Sequence, residues 1–446
     1  MKKKSLTPSA GHRFLRDEVA RQESEKKYSI LLAGGGPGAL ATILALANKG
    51  KAAFRRVVES NNQESSGIAV VTQSDCIGSG SLRNFENVPF LSNSPGPDWT
   101  NWLPQNEVFG DLQGLPEAKK VAAENDVLRF GPIADLLDAL GDKIHQVLKG
   151  IHSCDFFPNK TVDTVEQCFR GDWNVYTDKN EPALSTTNVI LATGGKSQPI
   201  PPELHSFQAK IITADSVHSD IHQLHKVALA AQKKGGVVWV GSSYSVGSGN
   251  YALIEHAQQQ GIDIAEGGSH IVHRSPIYLY FPNSQEAELA GYTNFSRRDI
   301  DNDPNHPAVH RWKGIRNVAR DLILAATSGN EKRITSQQVE HLSEAKEEYQ
   351  NAQIIIVATG YPASYVRIDD SSGMPLGPKL SERRQAVCVT DNGQVIGFND
   401  TVIPGVYANG LAHAPEKGGA PLVAFNAFGE VTGPALIKHI LETRLK

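Results

Sequence analysis

The chain has 446 residues, with Lys and Arg totalling 44 against 48 for Asp and Glu and a formal charge of −4. That length allows two or three domains, and the near-balance of charge gives no electrostatic basis for a nucleic-acid or anionic-membrane partner. Cys76, Cys154, Cys168 and Cys388 form no C-x-x-C pair and no metal-ligand spacing, which argues against a disulfide scaffold or a thiol relay and fits a reducing cytoplasm.

Residues 1–27 read as a polar arm, with a surface helix over 12–26 as one reading. From Tyr28 to Ala47 there is no charge. The run Gly34-Gly35-Gly36-Pro37-Gly38 would break a spanning helix and a charged stretch precedes it, so neither a targeting segment nor a membrane span is expected. The pattern predicts a strand over Tyr28–Leu32, a helix from Ala39 to about Asn48, and a second strand over Phe54–Val58 ending at Glu59: a parallel β-α-β unit. Residues 78–116 are rich in Gly, Pro, Ser and Asn and read as a long functional loop region, with Trp99 and Trp102 as candidate pocket walls. Three apolar strands then lead into glycine turns: Asn188–Ala192 before Thr193-Gly194-Gly195, Val237–Val240 before Gly241, and Ile354–Ala358 before Thr359-Gly360. Residues 280–312 form a polar excursion. Residues 316–325 and 335–348 read as helical, Val406–Ala408 as a last strand, and 420–442 as a helix interrupted near Gly433 and Pro434.

The strongest motif is the first glycine cluster, placed after a strand and opening a helix. Gly34 permits a tight turn, Gly36 has no side chain to block a pyrophosphate, and Ala39 permits close helix–strand packing. The helix start that follows Pro37 and Gly38 offers unsatisfied N–H groups and a partial positive charge to phosphate. Glu59, about 20 residues past Ala39, is the candidate carboxylate for ribose hydroxyls.

A second unit follows Val237–Val240 and reads Gly241-Ser242-Ser243-Tyr244-Ser245-Val246. Ser243 replaces the second glycine; its hydroxyl either bonds phosphate itself or partly closes the site. Arg274, after the predicted strand Ile271–His273, sits where a dinucleotide's 2′-substituent is read, and favours NADPH over NADH. Of Gly241, Ser243, Ser245 and Arg274 a nicotinamide dinucleotide site is expected, a degenerate domain kept for packing being the other reading. His306 and His310 are four apart, but Pro307 between them spoils a helical metal pair, so no metal is expected.

On the Gly34–Ala39 loop and the turns Ala192-Thr193-Gly194 and Ala358-Thr359-Gly360, the second continuing into Tyr361, the chain resembles the two-dinucleotide-domain flavoproteins. Within them it is most similar to the flavin-containing monooxygenases and the microbial amino-acid or polyamine N-hydroxylases, over most of residues 28–446. The resemblance implies an α/β fold with two Rossmann-like dinucleotide-binding domains, the second inserted into the first. FAD-binding parts are expected at 28–205 and 346–446 and an NAD(P)-binding domain at 206–345. It further implies FAD on the first loop, NADPH on the second, and Thr193, Gly194, Thr359 and Gly360 approaching the flavin. Val406-Tyr407-Ala408-Asn409-Gly410 is similar to the last FAD-binding segment, with Asn409 where many relatives have Asp. Gly410 and a helix start at 418–422, including Pro421 and Leu422, are the implied flavin neighbours. Leu91-Ser92-Asn93-Ser94 resembles the segment that sets an asparagine over the flavin, where Asn93 would hydrogen-bond a C4a-hydroperoxyflavin; a turn-forming asparagine is the other reading. His413 is either close to the flavin or a packed histidine, and Lys417 either meets an anion or is solvated.

The fingerprint Phe-x-Gly-x-x-x-His-x-x-x-aromatic is eroded here: Phe207 fits, while Ala209, Thr213 and Val217 replace its other members. The implied reaction is an NADPH-dependent FAD monooxygenation of a small-molecule nucleophile by dioxygen through a C4a-(hydro)peroxyflavin. An FAD oxidase or dehydrogenase without a nicotinamide cofactor is the alternative that Ser243 and the eroded fingerprint favour, and a non-catalytic flavin-binding partner protein comes third.

Overall fold

The computed structural model describes residues 26–59, 65–86, 92, 95–124, 128–177, 183–196, 199–301, 307–311, 313–360, 362–381, 386–413, 416–417, 420–421 and 425–443. The fold is α/β. One sheet of six strands runs in the order Gln394–Ile396, Val402–Ala408, Val189–Leu191, Ile30–Ala33, Ile68–Val71, Asp155–Phe157. All its pairs are parallel except the one between Gln394–Ile396 and Val402–Ala408. It therefore joins strands from the start and the end of the chain. A second sheet of five parallel strands has the order Ile211–Thr213, Ile354–Val357, Val237–Val240, Ser269–His273, Ile334–Gln338. Its strands come from one continuous stretch, which is the insertion. Ile354–Val357 belongs to this second sheet, so that sheet runs past residue 345, the boundary expected from sequence. A third sheet of five short strands, Lys27–Tyr28, Leu184–Thr186, Trp173–Tyr176, Thr164–Gln167 and Arg367–Asp369, shares a core with one face of the first.

The inner strands are uninterrupted apolar runs because parallel strands are covered on both faces. Leu31, Ala33, Val189 and Leu191 pack toward the third sheet. Ile30, Leu32 and Ile190 meet the helix Pro37–Ala47 on the other side. That helix is buried from Gly38 to Ala47, which explains its lack of charge.

Two predicted elements are corrected. Phe54–Val58 is not a strand but part of the helix Lys51–Val58, with Phe54, Val57 and Val58 buried and Arg55 and Arg56 exposed. Those buried positions fall at i, i+3 and i+4, the helical period rather than the alternation of a strand. The second strand of the sheet is Ile68–Val71. Likewise 335–348 is the strand Ile334–Gln338 followed by short helical turns.

The glycine-rich stretch 78–116 is also less open than expected. Trp99 and Trp102 are core residues, Trp99 stacked on Phe425 at 5.7 Å and Trp102 edge-on to it at 4.7 Å. They anchor the short helix Gly96–Thr100 against the last helical segment rather than lining a cavity. That segment runs as Phe425–Ala427, a π-helical turn Phe428–Thr432, then Gly433–Thr443. Pro434 has no N–H to give to the carbonyl of Glu430, and the turn before it widens to π geometry. Among the described residues no helix is long and apolar enough to cross a membrane.

Candidate functional site

The first glycine loop lies at the carboxyl edge of the six-stranded sheet, where Gly34 N–H donates to Val71 O at 2.7 Å. Gly34 has φ +117, and a Cβ on it would stand 2.3 Å from the carbonyl oxygen of Ala192. Gly38 is equally confined, its Cβ position 2.4 Å from the carbonyl oxygen of Asn409. Gly36 differs: a Cβ there would meet nothing within 4 Å. Two of these glycines are thus required by the protein itself, and one opens onto free space at the start of the helix Pro37–Ala47. No side chain caps that helix start and no acid sits in its first turn, so its N–H groups and positive end face that space.

The second loop repeats the arrangement. Gly241 has φ +147, and its Cβ position is 2.4 Å from the carbonyl oxygen of Ala358. The same contact is thus made twice, Gly34 on Ala192 and Gly241 on Ala358. Each Ala-Thr-Gly turn is therefore the wall behind one glycine loop. The turns also join the two units: Gly195 bridges Ala363, Lys196 N–H donates to Pro362 O at 2.9 Å and Ser364 N–H to Gly194 O at 3.1 Å. Thr193 Oγ1 donates to the carbonyl of Ser364. Gly194 and Gly360 take φ +68 and +108, turns that an L side chain resists.

Ser243 caps the helix Tyr244–Gln259 with φ −94 and ψ −179, close to φ −82 and ψ −166 at Gly36. This is extended backbone, so the serine is unstrained. Its hydroxyl does not cap the helix, and the residue is exposed. Ser245 lies in the first turn. Arg274 is exposed just past the strand Ser269–His273, beside the strand that carries the loop.

Glu59 is corrected. It follows the helix Lys51–Val58, and its carboxylate lies 3.6 Å from Arg55 Nε. Gly67 N–H donates to Val57 O, so this helix end sits where the strand Ile68–Val71 begins. The glycine loop sits where that strand ends, and Glu59 is therefore at the opposite edge of the sheet from the expected ribose. Thr72 and Gln73 occupy the strand end instead.

Asn409 is buried and fully engaged: its Nδ2 donates to Thr42 Oγ1 at 2.9 Å and Gly38 O at 3.3 Å, and its Oδ1 accepts from Thr432 Oγ1 at 2.6 Å. A carboxylate has no donor for the first two bonds. The amide ties the last strand, the first helix and the π turn together. Gly410, at φ +130, has its Cβ position 3.8 Å from Gly38 Cα. Pro421 pairs with Glu416 in a short hairpin rather than opening a helix, and the next described residues, Phe425–Ala427, are helical. Asn93, Gly418, Gly419, Leu422, Tyr361 and His306 lie outside the described residues.

Sequence reasoning missed the segment that covers the first loop. Gly78 N–H donates to Gly35 O at 2.8 Å, and a Cβ on Gly80 would be 3.3 Å from Gly36 Cα. Ser79 N–H and Arg83 hold this segment to Asp138, and Arg83 also binds Asp135 and Glu86 at 2.8 Å each. Burial lowers the Arg83 pKa, but bonds to Asp135, Glu86 and Asp138 outweigh it and hold the guanidinium above its ordinary value. The available signal was Asp135 and Asp138 at i, i+3 in an apolar helix, a spacing that suits one arginine.

Two buried polar groups near these turns have no partner. Thr359 Oγ1 is one, and both ring nitrogens of His413 are the other. His413 is 1% exposed, and its backbone N–H donates back to Gly410 O at 3.0 Å. Burial pushes its pKa down to about 4. Between about pH 6.5 and 4 the unfolded chain takes a proton there that the folded chain refuses, so stability falls as pH falls, by up to about 1.4 kcal/mol per pH unit. In urea titrations of ligand-free protein between about pH 7 and 5, His413→Gln is expected to reduce this slope. An unchanged slope would show that His413 is already solvated or paired.

Among the described residues no group of three or more His, Cys, Asp or Glu is placed to hold a metal ion. No protein-family model matches the chain, and no curated protein sequence does. Solved structures do match in fold. DfoA, the cadaverine monooxygenase of desferrioxamine biosynthesis from Erwinia amylovora, solved with FAD, matches at TM-score 0.55 and 14% identity, over 94% of this chain and 96% of that one. L-lysine 6-monooxygenase from Pseudomonas syringae matches at TM-score 0.53 and 13% identity, over 93% and 99%. The bacillithiol disulfide reductase Bdr from Staphylococcus aureus matches at TM-score 0.50 and 12% identity, over 94% and 99%. The chain has the fold of the two-dinucleotide-domain flavoproteins along nearly its whole length.

Proposed function

We propose that this protein is an FAD-dependent, NADPH-using monooxygenase of a small-molecule nucleophile, with FAD in the split first unit and NADPH in the inserted one. The observation that carries this reading is the duplicated contact of a glycine loop with its own Ala-Thr-Gly turn, Gly34 on Ala192 and Gly241 on Ala358. Two dinucleotide sites joined through those turns suit electron passage from one bound nucleotide to another.

The residues fit FAD. The space at Gly36 admits a pyrophosphate, the uncapped start of Pro37–Ala47 meets its charge, and Thr359 and His413 are buried hydrogen-bonding groups in want of a ligand. Bound FAD would supply the electron exchange with nicotinamide and dioxygen, while the chain orients and shields the reactants. Arg83, Ser79 and Asp138 hold the covering segment over the loop. Arg274, exposed past the strand beside Val237–Val240, would pair with a 2′-phosphate, and Asn93 would be the hydrogen-bonding amide over the flavin. Trp99, Trp102 and Phe425 form a buried aromatic cluster that holds the helix Gly96–Thr100.

The two monooxygenases among the fold relatives support oxygen transfer, whereas Bdr shows that the fold also serves disulfide reduction. The cysteines favour the first: all four are free, and none lies in either glycine loop. Ser243 favours a second reading, an oxidase or dehydrogenase that takes electrons from its organic substrate and needs no nicotinamide. Anaerobic mixing of the yellow protein with NADPH separates the two. Bleaching of the flavin band is expected, followed on admitting oxygen by reoxidation with little free peroxide once substrate is present. A flavin that stays oxidised under NADPH and NADH would exclude the monooxygenase reading.

A further inference from the structure

Arg316 ends the excursion that links the strand Ser269–His273 to the helix Asn317–Thr327. Its guanidinium lies over the Tyr280 ring, Cζ 4.1 Å from the centroid, and its Nη2 donates to the carbonyl of Arg311 at 2.6 Å. Nε is buried with no hydrogen-bond partner. Among the described residues Arg316 makes no ion pair. Asp98, on the short helix Gly96–Thr100 of the first unit, acts on it through space without hydrogen-bonding to it. Burial outweighs the pull of Tyr280 and Asp98 and lowers the Arg316 pKa below the ordinary arginine value. A stacked, largely buried guanidinium with one bond satisfied is a preorganised cation that lacks its anion.

Its position says which anion. Ile315, the residue before it, packs on Gly247, where a Cβ would stand 3.0 Å from the isoleucine side chain. Gly247 lies in the first turn of the helix Tyr244–Gln259, and the charge of Arg316 acts on Tyr244, the first residue of that helix. Arg316 is thus set beside the second glycine loop. In the first loop the missing side chain of Gly36 leaves the backbone open. In the second, Ser243 has nearly the same backbone angles, so its side chain projects into the equivalent space, where it would stand between a phosphate and the amides behind it.

We propose that Arg316 binds the pyrophosphate of the nicotinamide dinucleotide and replaces the backbone contacts that Ser243 obstructs. The proposal rests on the nicotinamide reading above. It explains how a loop without its second glycine still holds a dinucleotide: the planar fork of the guanidinium donates two parallel bonds to phosphate oxygens, and Tyr280 fixes its plane.

The test uses FAD-loaded protein, with calorimetric binding of NADP+ and anaerobic flavin reduction by NADPH or by reduced nicotinamide riboside, which carries no phosphate. R316Q is expected to weaken NADP+ binding about tenfold or more, the loss of one or two charge-assisted bonds. R316K, with the charge but not the fork, is expected to fall between, and the rate with the riboside is expected to stay within about twofold of wild type in both. NADP+ binding by R316Q within about twofold of wild type overturns the proposal and leaves the nicotinamide reading standing. Equal losses with NADPH and riboside overturn it in favour of a role at the nicotinamide ring or the organic substrate. A wild-type protein that binds no NADP+ removes the nicotinamide reading and this proposal together. Flavin content and melting temperature monitor folding, and if R316Q does not fold, R316K decides: unchanged NADP+ affinity overturns the assignment.

Discussion

Gly36→Val is expected to purify as a folded protein without flavin. A Cβ added there finds no described atom within 4 Å, and the backbone at φ −82 suits any residue. Stability without ligand is therefore expected to stay within about 0.5 kcal/mol of wild type. The same branched side chain fills the space through which a pyrophosphate would reach the start of Pro37–Ala47. Contacts between phosphate oxygens and backbone N–H groups would then be lost, and affinity for FAD is expected to fall at least about a hundredfold, or roughly 3 kcal/mol. Flavin absorbance per mole of protein and circular dichroism of the same sample provide the check. A yellow Gly36→Val protein would place the dinucleotide elsewhere.

Gly34→Ala, two residues away, is expected to fail for the opposite reason. An alanine there must hold φ +117, a conformation that costs about 1–3 kcal/mol, and its methyl would lie 2.3 Å from the Ala192 carbonyl oxygen. That oxygen belongs to the backbone of the neighbouring strand's turn, so relief requires the two strands to part at the carboxyl edge. The combined loss is expected to reach about 4 kcal/mol or more, a large share of the stability of a typical domain. Poor recovery, or a sharply lower urea midpoint whether or not FAD is added, is the expected observation. Added FAD restoring wild-type stability would mean that the loop, not the strand packing, absorbs the change. Gly241→Ala faces the same clash with Ala358 and would show whether the inserted unit tolerates it better.

These two glycines also show what could be read in advance. The change from a short apolar run to a glycine cluster and an uncharged helix is local, and the loop and its helix were legible from it, whereas the insertion of a second unit came from the family resemblance. Glu59 was not. Its assignment depended on taking Phe54–Val58 as a strand, whereas the buried side chains follow a helical spacing and the true strand begins at Ile68. Asn409 was expected in the last FAD-binding segment, where many relatives have Asp; in the structure its amide donates to Gly38 and Thr42. That choice of amide over acid depends on partners 371 and 367 residues away in sequence. The covering segment around Gly80 and the lone guanidinium of Arg316 were invisible for the same reason. Burial and missing partners arise only when distant segments meet.

The insertion also sets an order of assembly. Every strand of the second sheet lies between Ile211 and Val357, so that sheet is complete in the growing chain before Val402–Ala408 has been made. The first sheet has no such independence, because Val189–Leu191 must wait for Val402–Ala408 as its outer neighbour, and Pro37–Ala47 for Gly433–Thr443. For most of synthesis this uncharged helix lacks the part of its cover that Gly433–Thr443 supplies, beside a partner unit already built. This early helix is among the last elements to be sealed, and its exposure on the ribosome is where aggregation would compete with folding.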